Sequence, residues 1–229
     1  MAKVDLTPAF LIHRRTFKDT SLLLDFLTLE HGRIRLVGRG LRNSKTQIQV
    51  FQHLKISYSG KGDLKSLTNW EADDTPRQLK GDNLILGMYV NELISRLLHD
   101  QDPHFELFEI YKSFVENLAT INPLSSHWLL RLFEHNLLQE LGYGVDFSQD
   151  ITGEPIDLSA GYDYQHQGGF VRSVVGKILG KSINQLLIDD INNMPDIQQL
   201  KVCRDLNRMR LKPLLGDKPL QSRSLFFSK

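Results

Sequence analysis

In this 229-residue chain, the residues best suited to metal or nucleophilic chemistry are eight histidines and a single cysteine. Their spacing supports neither chemistry. His13, His31, His53, His127, His135 and His166 are scattered. His99 and His104 are five apart, which misses the i, i+4 spacing that sets two ligands on one helix face. Their neighbours Asp100 and Asp102 read as the polarity of an interhelical loop. Cys203 stands between Val202 and Arg204 in a helical pattern. Basic neighbours can lower a thiol pKa, but a small, half-buried helix residue is the favoured reading. Val37-Gly38-Arg39-Gly40 resembles the opening of a dinucleotide fingerprint, yet the third glycine and the surrounding βαβ unit are missing. No Gly-Lys-Ser/Thr phosphate loop, Gly-x-Ser-x-Gly elbow or paired-carboxylate motif is found. A binding protein is expected rather than an enzyme, with no metal and no cofactor.

The other chemistry on offer is cationic. Arg33, Arg35, Arg39, Arg42 and Lys45 follow one another with no acid between them. Arg33 and Arg35 share one face of a strand, while Arg39 and Arg42 extend from a loop broken by Gly38 and Gly40. Glycines allow close backbone approach, and guanidinium forks fit phosphate oxygens. A second set, Lys201, Arg204, Arg208 and Lys212, advances by three or four residues and so shares a helix face. Val202, Leu206 and Met209 are expected to bury on another face. The bland alternative for both sets is a solvated charged surface.

Charge along the chain is segregated. Residues 1–80 carry fourteen Lys/Arg against eight Asp/Glu (+6), residues 81–170 three against fourteen (−11), and residues 171–229 eleven against five (+6), which returns the net +1. Basic ends around an acidic middle suggest an anionic partner; the competing reading is that the ends dock on the middle. No apolar run reaches the roughly eighteen residues of a membrane span. Neither a secretory signal nor a disulfide pair is present, so the cytoplasm is the expected location.

These cations need a frame. Val4 to Phe17 is a β-rich run interrupted by Pro8. Leu22 to Leu29 and Arg33 to Val37 follow, and Leu54, Ile56 and Tyr58 alternate with polar residues. A turn is expected at Ser59–Asp63, then a fifth strand from Leu64 to Glu71. Five short strands in about seventy residues suit a small closed barrel, the OB-fold. Such a barrel offers a positive track for a single strand, with Phe10, Phe17, Phe51, Tyr58 or Trp70 as stacking platforms and most of them core. Past Gly81 the period turns helical. Asp82 is the expected cap of a helix with Leu84, Met88, Leu93 (with Ile94) and Leu97 at helical spacing. Pro103 is expected to open a second helix bearing Phe105, Phe108, Tyr111, Val115 and Leu118. A third carries Trp128, Leu129, Leu132, Phe133, Leu137 and Leu141 and stops at Gly142. Residues 142–176 read as loop with a short hairpin at Tyr162–Val171, and Lys177–Asp190 as a short helix. A last long helix is expected from Pro195 to about Lys212, ended by Pro213 and the Gly216-Asp217-Lys218-Pro219 turn, with Ser222 capping a final turn through Phe227. The expectation is an α+β chain. Residues 1–80 form the OB-fold DNA-binding domain and 81–141 a helical bundle. Residues 142–229 form a loop-rich segment and C-terminal helix packed on the helical domain.

Asp19-Thr20-Ser21-Leu22-Leu23-Leu24 and His31-Gly32-Arg33-Ile34-Arg35-Leu36-Val37-Gly38-Arg39-Gly40 resemble the RecO family of bacterial recombination mediators. So do Tyr89-Val90-Asn91-Glu92-Leu93 with Arg96-Leu97-Leu98, Arg131-Leu132-Phe133-Glu134, Leu141-Gly142-Tyr143-Gly144 and the closing stretch from Leu211 to Arg223. The matches span the chain in order. The resemblance implies an N-terminal OB-fold, a central helical domain and a C-terminal region packed against it. It further implies binding of single- and double-stranded DNA, annealing of complementary strands, and loading of the RecA recombinase. The implied partners are RecR and the acidic, aromatic-ended C-terminal tail of single-strand-binding protein. Many members carry a four-cysteine zinc site after Gly-Tyr-Gly; Ser148 to Gly168 here holds no cysteine. Apolar packing by Ile156, Leu158, Tyr162 and Phe170 is expected in its place. Arg131 is the first choice for the tail, with an ion pair to Glu134 as its equal alternative. A monomer is expected. The competing functional readings are a basic scaffold for acidic proteins without direct DNA binding, and a nucleic-acid enzyme.

Overall fold

The computed structural model describes residues 2–62, 64–166 and 168–226. Asp63 of the expected turn and Phe227 of the expected last turn lie outside the described residues. Two compact units result, Met1–Ala119 with Leu220 onward, and Thr120–Pro219.

The first unit is built on a closed barrel in the order β1-β2-β3-β5-β4. Its strands are β1 (Ala2–Phe17), β2 (Ser21–Thr28), β3 (Gly32–Gly38), β4 (His53–Gly60) and β5 (Lys65–Ala72). β1 serves both β2 and β4, and its register shifts at Val4/Thr7 and Leu11/His13. Such bulges bend a strand and let it close a barrel. At the first, Leu6 adopts φ 52° and donates its N–H to Ser57 Oγ at 3.1 Å. Pro8 therefore sits inside the strand beside a bulge instead of interrupting it. Leu24, Phe26, Ile34, Leu36, Leu54 and Ile56 fill the interior.

β3 alternates buried and half-buried residues, as a strand with one wet face should. β2 does not alternate, since both of its faces are buried, and helices pack on the outer side of β1. There Phe10 packs on Phe108 and Tyr111 at 5.4 and 5.1 Å between ring centroids. Buried Asn91 donates to the Ile12 carbonyl at 2.9 Å and accepts from the Tyr111 hydroxyl at 2.7 Å. These helices are α1 (Gly81–Leu97) and α2 (Phe105–Thr120). α1 is capped at Lys80, with Asp82 inside its first turn. Of the positions expected at helical spacing, Leu93 and Ile94 bury, together with Ile85, Leu86, Tyr89 and Val90, whereas Leu84 and Met88 are 37% and 43% exposed. α2 starts at Phe105, itself exposed, and buries Phe108, Tyr111, Val115 and Leu118 as the spacing predicts. The chain returns to this unit at its end. Glu92 on α1 accepts the Gln221 N–H, the Ser222 N–H and the Ser222 hydroxyl at 2.9, 2.9 and 2.7 Å.

The second unit holds α3 (Pro123–Glu140), β6 (Gly161–Gln165), β7 (Gly169–Arg172), β8 (Ile178–Leu179), α4 (Gly180–Ile188) and α5 (Ile197–Leu215). The unit boundary thus falls within the stretch read as one bundle, because α3 buries Trp128 and Leu132 among Phe147, Tyr162, Phe170, Ile183 and Leu206. Asn122 caps α3 through Leu124 and Ser125, with Pro123 in its first turn. Of the side chains expected to hold the cysteine-free segment, Tyr162 and Phe170 are buried and Ile156 packs beside them. Leu158 is 52% exposed and takes no part. α5 begins with a capping box, Asp196 with Gln199, runs through Pro213 and is capped at Gly216, the first residue of the expected terminating turn.

Candidate nucleic-acid interface

Gly40 sets the geometry of the cationic loop. Its φ of 72° lies in the left-handed region, and it opens a short 3-10 turn over Leu41–Asn43. The turn is docked on the β1–β2 connection: the Arg42 N–H donates to the Thr20 carbonyl at 3.1 Å, and its Nη1 to the Lys18 and Asp19 carbonyls at 3.4 and 3.3 Å. Register carries the same end of the barrel onto β1, since Arg15 faces Leu23 and Leu22 faces Gly38. Arg14 donates to Gln47 Oε1 and the Ile48 carbonyl, both at 3.2 Å, just beyond Lys45. Arg14, Arg15, Lys18, Arg39, Arg42 and Lys45 are all exposed, and the bonds recorded for this set go to neutral acceptors.

Arg14, Arg15 and Lys18 were missed in the sequence because they fall inside a β-rich run. The signal available was three cations in five residues, followed by an acid only at Asp19. Among the suggested platforms, Phe10, Phe51 and Tyr58 are core. Phe17 is half-buried with the Lys18 ammonium 5.5 Å from its ring centroid, and Trp70 is half-buried on β5.

Arg33 and Arg35 depart from the expected open track. Arg33 is bound by the Ser95 carbonyl and the Asp100 carboxylate, with its side chain 13% exposed. Arg35 lies directly across from Asp25 in the β2–β3 ladder and pairs with it through Nε at 2.5 Å. The Asp25 hydrogen bond raises the Arg35 pKa against the opposing effect of burial. Both arginines nevertheless line an open groove of about 690 Å³, together with Arg14 and His13. The cause of the departure is tertiary: Asp100 is sixty-seven residues from Arg33, so no local spacing reveals it.

On α5, Lys201, Arg208 and Lys212 are exposed and Arg204 is half-exposed. Arg204 pairs with Asp205 at 2.9 Å, and Arg208 lies 3.8 Å from the same carboxylate. The buried face is Cys203, Leu206, Asn207, Arg210 and Leu211; Met209, expected inside, is 44% exposed. Cys203 is fully buried, and burial pushes its thiol up to about 12. Arg131 is also buried. Its Nη1 meets Glu134 at 3.0 Å, and Asn207 donates both to the Arg131 carbonyl and to Glu134. The internal ion pair describes the placement of Arg131, whose side chain is 8% exposed. Nearby, burial drives His135 down to about 3, helped by Arg210, so this histidine is neutral at ordinary pH. Among the described residues no group of three or more His, Cys, Asp or Glu could hold one metal ion, and no helix is long and apolar enough to cross a membrane.

The chain matches the family description "Recombination protein O N terminal" over residues 1–75 and "Recombination protein O C terminal" over residues 78–200. It is 39% identical over 228 residues to the DNA repair protein RecO of Pseudoalteromonas translucida, covering 97% of both chains. It is 40% identical over 227 residues to that of Actinobacillus pleuropneumoniae serotype 5b, covering 96% of this chain and 93% of the relative. It is 39% identical over 223 residues to that of Escherichia coli K12, covering 95% and 92%. With both family halves matched in order and near-complete relatives, the barrel with its cationic end is that of a DNA repair protein, and the chain belongs to the RecO family.

Proposed function

We propose that this protein binds single- and double-stranded DNA through the cations gathered at the Gly40 end of its barrel, and that it anneals complementary strands. The observation that carries this reading is the exposed set Arg14, Arg15, Lys18, Arg39, Arg42 and Lys45, whose recorded bonds go to neutral acceptors. Unpaired surface cations release counterions when they meet phosphates, which is the main source of sequence-independent affinity. Half-buried Phe17 beside Lys18 supplies a π-face for stacking. Lys201, Arg208 and Lys212 on α5 form the second contact that two-strand binding needs. Family membership supports the rest: the protein acts in the cytoplasm, as a monomer and without enzymatic turnover, with RecR and the tail of single-strand-binding protein as partners, to help load RecA. Arg131 is not offered for the tail.

The test is annealing of complementary strands precoated with single-strand-binding protein. Reversal of Arg39, Arg42 and Lys45 to Glu together is expected to abolish acceleration while leaving the fold intact. Undiminished annealing by the folded triple variant, or no saturable oligonucleotide binding by the wild type, favours the scaffold reading.

A further inference from the structure

The groove beside the exposed cations contains an acid where a polyanion would have to bind. Asp25 stands opposite Arg35 in the β2–β3 ladder, 2.5 Å from its Nε, with a second contact from Nη2 at 3.4 Å. His13 Nδ1 lies 3.8 Å from the other carboxylate oxygen. The Asp25 side chain is 12% exposed and that of Arg35 is 36% exposed; both line the groove, and the arginine is the more open of the two. A fork engaged along its Nε edge by one carboxylate presents the same edge that bidentate phosphate recognition uses.

We propose that Asp25 is an internal competitor for nucleic-acid phosphate: it holds Arg35 in a phosphate-binding pose and must be exchanged for the phosphate when a strand enters the groove. This rests on the DNA-binding reading above and extends it from the exposed cations to the paired one. The physical consequence is a lowered affinity. Each strand that gains the Arg35 contact loses the Asp25 pair and brings its own charge close to that carboxylate. The pair is open on the arginine side, 36% exposed against 12% for Asp25, so Arg35 has room to turn toward an entering phosphate. Arg33 is not part of this device. Its guanidinium also serves the Ser95 carbonyl, and its side chain is only 13% exposed.

The experiment is a double-mutant cycle on a short single-stranded oligonucleotide, read by fluorescence anisotropy across a salt series. Asp25→Asn keeps the shape and removes the competing charge. It is expected to tighten binding by about three- to fivefold, the size of a weak partly exposed ion pair. The slope of log affinity against log salt is expected to steepen by about 0.7, one added phosphate contact on a single strand. Arg35→Gln in the Asp25→Asn background is expected to erase the gain. Asp163→Asn, an equal charge change on β6, is expected to produce less than half of it. If the amide does not fit and a thermal melt shows an unfolded chain, Asp25→Ser replaces it with the same expected outcome. Unchanged or weaker binding by the folded Asp25 variant overturns the inference, as does a gain that survives loss of Arg35. Those results leave DNA binding standing if the Arg39, Arg42 and Lys45 reversal still weakens it. No saturable binding by the wild type sinks both readings together.

Discussion

Glu134 has a side chain 0% exposed, and its partner Arg131 is 8% exposed. A buried pair of this kind is costly to break from one side, because the survivor is left charged in a poor solvent. Glu134→Ala is expected to lower stability by about 3–5 kcal/mol, measured by urea unfolding; a loss below about 1 kcal/mol would show that Arg131 finds another partner. Cys203 gives a second check. With its thiol pushed up to about 12 by burial, it is expected to resist a disulfide reagent in the native protein and react fully after denaturation. Glu92 titrates in the acid range. Burial raises its pKa, but hydrogen bonds from Ser222 and Gln221 and the nearby Arg96 outweigh this and hold it below the ordinary value. A depressed carboxylate contributes stability above its unfolded pKa and loses it as pH falls through the folded one. Protection of the Gln221 and Ser222 amides, measured relative to their intrinsic exchange rates, is therefore expected to be high at neutral pH and to fall in acid. Glu92→Gln is expected to show low protection at neutral pH that changes less with acid. Equal protection in that variant at neutral pH would contradict the clasp.

Among the elements, β3 was readable because one of its faces is wet, so Arg33 and Arg35 alternate with Ile34 and Leu36. β1 and β2 were readable as β but not in facing, since helices pack on the outer side of β1 and both faces of β2 are buried. The same burial explains α1: Leu84 and Met88 fit a helical period as well as Ile85 and Tyr89 do, and only the barrel's position selects the second set. On α5, Asn207 and Arg210 occupy buried positions that an apolar pattern assigns elsewhere, because their partners Arg131, Glu134 and His135 lie on α3. Of the candidate DNA contacts, those on a glycine loop were legible from local spacing, while the pairing of Arg33 depends on distant Asp100 and that of Arg35 on the register of the β2–β3 hairpin, which sets Asp25 opposite it. Gly40 tests the loop itself. Its φ of 72° strains any other residue, while open space surrounds the position of an added side chain. Gly40→Val is expected to cost about 1–3 kcal/mol or to shift the loop, and to weaken oligonucleotide binding. Gly62→Val, at φ 73° and equally open, is expected to cost similar stability and leave binding intact. Equal binding loss in both variants would remove the special role of the Gly40 turn.

For the whole molecule the proposed function is electrostatic: a nearly neutral chain would bind a polyanion through the uneven spread of its charge, +6 over residues 1–80 against −11 over residues 81–170. On this proposal exposed cations without acidic partners bind phosphates, and paired ones must first exchange. The direct measurement is the affinity for a short single strand as a function of salt, for the wild type and for the Arg39, Arg42 and Lys45 reversal. With four to six phosphates contacted, the wild-type slope of log affinity against log salt is expected at about −3 to −4, and the folded triple variant is expected to be flatter by about 2. Equal slopes and equal affinities for the two proteins would contradict the account.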